Sequence, residues 1–253
     1  MLRFFSKMRY KLAAENRVAK YMRYAIGEIL LVVIGILIAL SINNWNTNKQ
    51  ETRELHGYLK NIKSNLQADL MGIKEMKAFR DSSISWSINY LNIAKKDIIT
   101  TEDFNAIAIE NGGFHVVKDN VFETHNSGFE ALKNSGFIGK LNGTELEKML
   151  NEYYYIQKRI NDSETSFNNN LATLENNLYN ENIMQQIGDI YFMQNKKEYI
   201  NANQKKIKVL LNHPSLTGAT QRNTRTKFLI RDYEQLEELA NAIISEINLE
   251  IGG

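Results

Sequence analysis

The sequence contains no cysteine and only one proline, Pro214, in 253 residues. The first absence excludes a disulfide framework, a thiolate zinc or iron–sulfur site and a cysteine nucleophile, while leaving the redox compartment open. The second, together with a modest 14 glycines, leaves little to interrupt long helices. A dominant charge is also lacking, since 31 Lys and Arg stand against 29 Asp and Glu for a net charge of +2. With 43% hydrophobic residues, that balance argues against wholesale disorder, a collagen-like fibre and a polytopic membrane protein. The length suits one large domain or two small ones, and the composition predicts an all-α fold.

Spacings that carry known chemistry are missing too. There is no P-loop, GxGxxG, HExxH, GxSxG or EF-hand pattern, and without one an enzyme assignment has no anchor. The histidines are His56, His115, His125 and His213, and two of them cluster with acids as His115, Asp119, Glu123 and His125. Those residue types can ligate zinc or another divalent metal, but the spacing matches no standard site and reads as a solvated loop. No catalytic, cofactor-binding or metal-binding residue is expected; a metal-dependent hydrolase built on His115 and His125 is the minor alternative.

What is present is an uneven distribution of charge. Before residue 24, Arg3, Lys7, Arg9, Lys11, Arg17, Lys20 and Arg23 face one acid, Glu15, so a basic head precedes a mildly acidic body. Between them, Tyr24 to Ile42 is almost wholly apolar, with Glu28 its only charge. As a helix these residues extend about 28 Å, close to the hydrocarbon thickness of a bilayer. A buried core helix or a signal-peptide core is the competing explanation, but the flanks favour an uncleaved transmembrane anchor. Tyr24 and Trp45 sit where amphipathic rings anchor in the headgroups, and the basic excess lies on the amino-terminal side. That bias predicts a cytoplasmic segment 1–23, a transmembrane helix 24–42 and an exported domain 43–253. The seven basic residues of the head would contact an anionic membrane surface; without an aromatic platform they do not argue for nucleic acid.

The block Glu15 to Asn46 carries a Tyr-Ala-Ile-Gly-Glu-Ile entry at Tyr24–Ile29, an apolar span at Leu31–Leu40 and an Ile-Asn-Asn-Trp-Asn exit at Ile42–Asn46. It resembles the opening of a domain-of-unknown-function family of single-span envelope proteins of Gram-negative bacteria, whose pattern usually has Gln where Ser41 stands. A second stretch, Phe129 to Tyr154, is similar to the family's Leu-x-x-Ser-Gly segment followed by a helix ending in paired tyrosines. The resemblance implies a bacterial inner-membrane location with the larger part in the periplasm, and it implies no activity.

Beyond Trp45 the apolar residues keep helical time. Leu59, Ile62, Leu66, Ile73 and Met76 occupy heptad a and d positions, with Asp69 at one d position, read as pointing to water at the helix edge, with a buried polar contact or a ligand-facing group as the alternative. Trp86, Ile88, Leu91 and Ile93 extend this rod to a break near Thr100. A short helix is predicted over Thr101 to Ile109, capped by Thr101 and ended by Asn111-Gly112-Gly113. Residues 111–128 read as a loop or a short hairpin. Thr144 and Glu147 form a capping box that opens a helix of about 35 residues reaching Leu178. Shorter helices are predicted over Ile183–Phe192 and Tyr199–Leu211. Leu229, Tyr233, Leu236, Ala240, Ile243 and Ile247 mark a closing amphipathic helix. Three long segments with narrow stripes need mutual burial, which predicts an elongated antiparallel bundle of four to six helices.

Within the span, Glu28, Gly35 and Ala39 share one helix face, and Gly35-x-x-x-Ala39 permits close helix approach. The expected function is a membrane-anchored, non-enzymatic interaction module that binds itself, as a homo-oligomer, or another envelope protein. The alternative is a ligand- or stress-sensing module that signals through its span to a separate cytoplasmic partner.

Overall fold

A four-three spacing of buried positions organises the fold. The computed structural model describes residues 18–107 and 120–252, together with Tyr10, and all regular structure among them is helical. The chain divides into two compact units, Met1–Gly57 and Tyr58–Gly253.

In the first unit, the described residues from Val18 onward belong to helix α1, Val18–Ala94. This helix is long and apolar enough to cross a membrane. Every Ile, Leu and Val from Ile26 to Ile42 is exposed.

In the second unit, α1 continues on a different principle. Leu59, Ile62, Leu66, Asp69, Ile73, Met76, Arg80, Ser83, Ser87, Tyr90 and Ala94 alternate in steps of three and four, and all are buried. The expected stripe is therefore correct to Met76. Beyond it the seam passes through the polar positions Arg80, Ser83 and Ser87, and Ile88, one of the apolar residues that extend the rod, is exposed. Helix α2 is Thr101–Ile107. Its cap is Thr100, one residue earlier than expected, whose Oγ1 accepts from Asp103 N at 3.0 Å while Asp103 Oδ2 accepts from Thr100 N. The stop at Asn111-Gly112-Gly113 lies outside the described residues. Residues 120–126 form a connecting segment without strand, followed by α3 (Ser127–Asn134) and a 3₁₀ turn (Phe137–Leu141).

Helix α4, Glu145–Asn180, has the length and cap anticipated for it. Thr144 Oγ1 accepts from Glu147 N, and the Glu147 carboxylate accepts from Gly143 N at 2.8 Å. Helix α5 is Ile183–Phe192. The segment expected as one helix over Tyr199–Leu211 is two, α6 (Lys196–Ala202) and α7 (Gln204–Leu211). They are separated at Asn203, next to which the Gln204 side chain accepts from Ile99 N and donates to Ile99 O, both at 2.9 Å. Pro214 opens α8, Pro214–Thr224, at the position where its missing N–H costs nothing. Helix α9, Lys227–Gly252, buries all six of its predicted stripe residues.

The long helices do not all run antiparallel as expected. Asp69 and then Arg80 of α1 meet Tyr153 and then Glu164 of α4, so these two helices run in the same direction. Helix α9 opposes both, pairing Lys63 with Asn248 and Lys77 with Glu237 on α1, and Glu152 with Gln235 and Arg159 with Asp232 on α4. A parallel helix pair needs a long crossover, which residues 95–144 supply. At one end of the unit, α2 and α5–α8 close over a second apolar cluster around Tyr90, Phe104, Leu171, Ile187 and Leu211.

Candidate functional site

Two buried carboxylates interrupt the apolar seams. Asp69 is fully buried, which corrects its expected place at a solvated helix edge. Its Oδ2 accepts from Tyr153 Oη at 2.7 Å and Gln157 Nε2 at 3.1 Å, and its Oδ1 from His125 N and Nδ1 at 3.0 and 2.8 Å. Heptad position d put Asp69 inside, and four donors make that tolerable.

Glu164 on α4 is equally buried. Its Oε1 accepts from Arg80 Nη2 at 2.9 Å and from the Tyr233 hydroxyl in a very short contact, and its Oε2 from Phe122 N at 2.8 Å. Arg80 also donates to Asn120 O and lies 5.3 Å from the Phe167 ring centroid. Both carboxylates thus reach residues 120–125, and this connecting segment is clamped to three helices at two levels. A third polar contact holds α8, where Asn223 Nδ2 donates to Ser83 O, Ser83 Oγ and Ser87 Oγ at 2.7–2.9 Å.

Burial pushes the phenols of these layers well above the ordinary tyrosine range. The Asp69 charge adds to this at Tyr153 and Tyr154, and that of Glu164 at Tyr233; Tyr90 is raised by burial alone. Tyr154 stacks on Phe129 with centroids 4.1 Å apart, its hydroxyl buried without a hydrogen-bond partner among the described residues. These layers are built to lock helices, since every carboxylate oxygen is occupied from within the fold.

The residues of the minor metal-binding alternative are not brought together among the described residues, where no group of three or more His, Asp or Glu side chains could hold an ion. His115 and Asp119 lie outside them, Glu123 is exposed, and His125 serves Asp69. His213 caps α8 instead, its Nδ1 accepting from Ser215 N while Nε2 donates to Glu181.

The residues expected to meet the membrane lie in the first unit. Arg3, Lys7, Arg9, Lys11 and Arg17 fall outside the described residues, and Lys20 is in α1. Arg23 is exposed, Tyr24 and Glu28 are half-buried, and Gly35 and Ala39 are exposed. A Cβ added at Gly35 would meet open space. Trp45 is exposed, with Lys49 Nζ 5.1 Å from its ring centroid.

The polar layers were missed in the sequence because Arg80, Ser83, Gln157 and Glu164 look like surface residues. The available signal was the unbroken four-three count through them.

Residues 28–166 match a protein family of unknown function, DUF6090. No curated protein and no solved structure matches the chain. The matched residues include Asp69, Arg80, His125, Tyr153 and Glu164, and exclude Tyr233.

Proposed function

This chain belongs to the DUF6090 family, and on that footing we propose that it is a membrane-anchored helical interaction module of the bacterial envelope. Tyr24–Ile42 spans the inner membrane once, residues 1–23 face the cytoplasm, and residues 43–253 form a periplasmic domain. The domain binds a second copy of itself or another envelope protein, and it performs no catalysis.

The observation that carries this reading is the exposure of the apolar stretch. Ten Ile, Leu and Val side chains between Ile29 and Leu40 are each about half or more exposed, whereas the seams of the second unit are buried. In water such a surface is unfavourable, because burying each side chain is worth roughly 1.5–3 kcal/mol. In lipid, the same residues contribute about −0.3 to −0.6 kcal/mol each, outweighing one carboxylate near the edge of the span. The basic bias before Tyr24 supports the orientation, and exposed Gly35 and Ala39 support helix-to-helix approach within the bilayer.

Membrane fractionation tests the anchor, and alkaline phosphatase fused after Gly253 tests the orientation. The reading requires the intact chain to resist carbonate extraction and the fusion to be active. A freely soluble chain, or a reporter active only when placed before residue 23, overturns it. Cross-linking in native membranes then tests the interaction and should yield a discrete adduct.

A further inference from the structure

A cleft between α4 and the α8–α9 junction carries a charge imbalance that the fold leaves uncompensated. Its larger lobe, about 470 Å³, is lined in part by Tyr155, Lys158, Ser163, Arg222 and Phe228. A smaller lobe of about 210 Å³ shares Ser163, Arg222 and Phe228 and adds Arg225. Together they fall in the range of small-molecule sites, about 300–1,000 Å³.

Four cations border the cleft, and two are neutralised internally. Lys158 pairs with Asp162 at 3.1 Å, and Arg159 makes a two-pronged contact with Asp232 at 2.8 and 3.3 Å. Arg222 and Arg225 have no acidic partner among the described residues. Arg222 is half-buried, its guanidinium 5.6 Å from the Phe167 ring centroid, and its Nε is buried without a hydrogen-bond acceptor. The C-terminal end of α8 favours a cation at Arg222, which accounts for the charge and not for the idle buried donor. Arginine presents five N–H donors in a planar fork suited to oxyanions. Arg222, in the last turn of α8, and Arg225, the residue that caps its C-terminal end, both line the smaller lobe, and Ser163 borders both lobes.

We propose that this cleft binds a phosphate monoester. The terminal phosphate oxygens accept from Arg222, Arg225 and Ser163, and the organic body lies against Tyr155 and Phe228. A dianion matches two uncompensated guanidinium groups, and three terminal oxygens use more of their donors than a carboxylate would.

The test is calorimetric titration of phenyl phosphate into the full chain in maltoside micelles. Saturable binding at one site per chain is expected, with inorganic phosphate weaker and benzoate weaker still. Arg225→Gln, at an exposed position, should weaken binding about tenfold with an unchanged thermal midpoint. Arg222→Gln should abolish binding, and if it fails to fold, Ser163→Ala serves with Arg225→Gln as the second arm. Arg231→Gln, at an exposed residue that lines neither lobe, should have no effect. Competition by dihexanoyl phosphatidic acid identifies a lipid source of the phosphate, and its failure to compete identifies a soluble ester; both uphold the site. Absence of saturable binding, equal weakening by Arg231→Gln, or benzoate binding as tightly as phenyl phosphate overturns the proposal.

Discussion

Glu164 and Arg80 are buried together and share a direct contact, so neither can be removed alone without stranding the other. Breaking a buried ion pair costs roughly 3–5 kcal/mol, whereas replacing both partners by apolar residues of similar volume is often neutral or stabilising. Glu164→Leu should therefore lower the unfolding free energy by about that amount, and Arg80→Met combined with Glu164→Leu should recover only part of it, because Phe122 N and the Tyr233 hydroxyl stay without their acceptor. Urea unfolding of the solubilised chain, followed by circular dichroism, reads the difference; a double variant as unstable as the single one would contradict it. Neighbouring Tyr153 and Tyr154 make a sharper pair. Tyr153→Phe removes a donor from buried Asp69 and should cost about 1–3 kcal/mol, but Tyr154→Phe removes a buried hydroxyl with no partner and should be neutral or slightly stabilising.

Among the elements, α3 approaches α1 more closely than a side chain would allow. A Cβ on Gly128 would lie 2.7 Å from Ile62 N and 2.9 Å from Asn61 C, both backbone atoms that cannot rotate away. Gly128→Ala should push α3 off α1 and destabilise by more than 1 kcal/mol, visible as faster hydrogen exchange in residues 127–134. In the span, Gly35 faces open space, so Gly35→Ile should leave the helix intact while weakening association in a membrane two-hybrid assay; an unchanged signal removes the Gly35–Ala39 face from the proposal. The elements differ in how far they can be read from sequence. The cap at Thr144, the stripe of α9 and the length of α4 follow from local rules and were legible, whereas α8, which Pro214 opens, was not anticipated. The parallel course of α1 and α4 was not, because it depends on which polar positions meet across the core. The break at Asn203 was hidden for a similar reason: the Gln204 side chain, just after it, bonds the backbone of Ile99, 105 positions away in the chain. Of the candidate sites, the apolar span announced itself through composition, while the cleft at Arg222 is created only when α4 and α8 come together.

At the scale of the whole molecule, the second unit buries its own seams and four high-lying phenols, and this sets its response to alkali. Tyr90, Tyr153, Tyr154 and Tyr233 all have pKa values raised in the folded state, chiefly by burial. An unfolded tyrosine ionises near 10. Above that pH the unfolded chain releases protons that the folded chain retains, so stability is complete below about pH 10 and falls as pH rises further. Each of the four removes about 1.4 kcal/mol per pH unit in that window, together about 5–6 kcal/mol per unit. Total stabilities of domains lie near 5–15 kcal/mol, so unfolding should be complete within roughly one to three pH units above 10. Absorbance of phenolate from the buried four should then rise in a cooperative step that coincides with loss of helical circular dichroism. A single smooth titration with helix retained would mean that these phenols reach solvent in the folded protein.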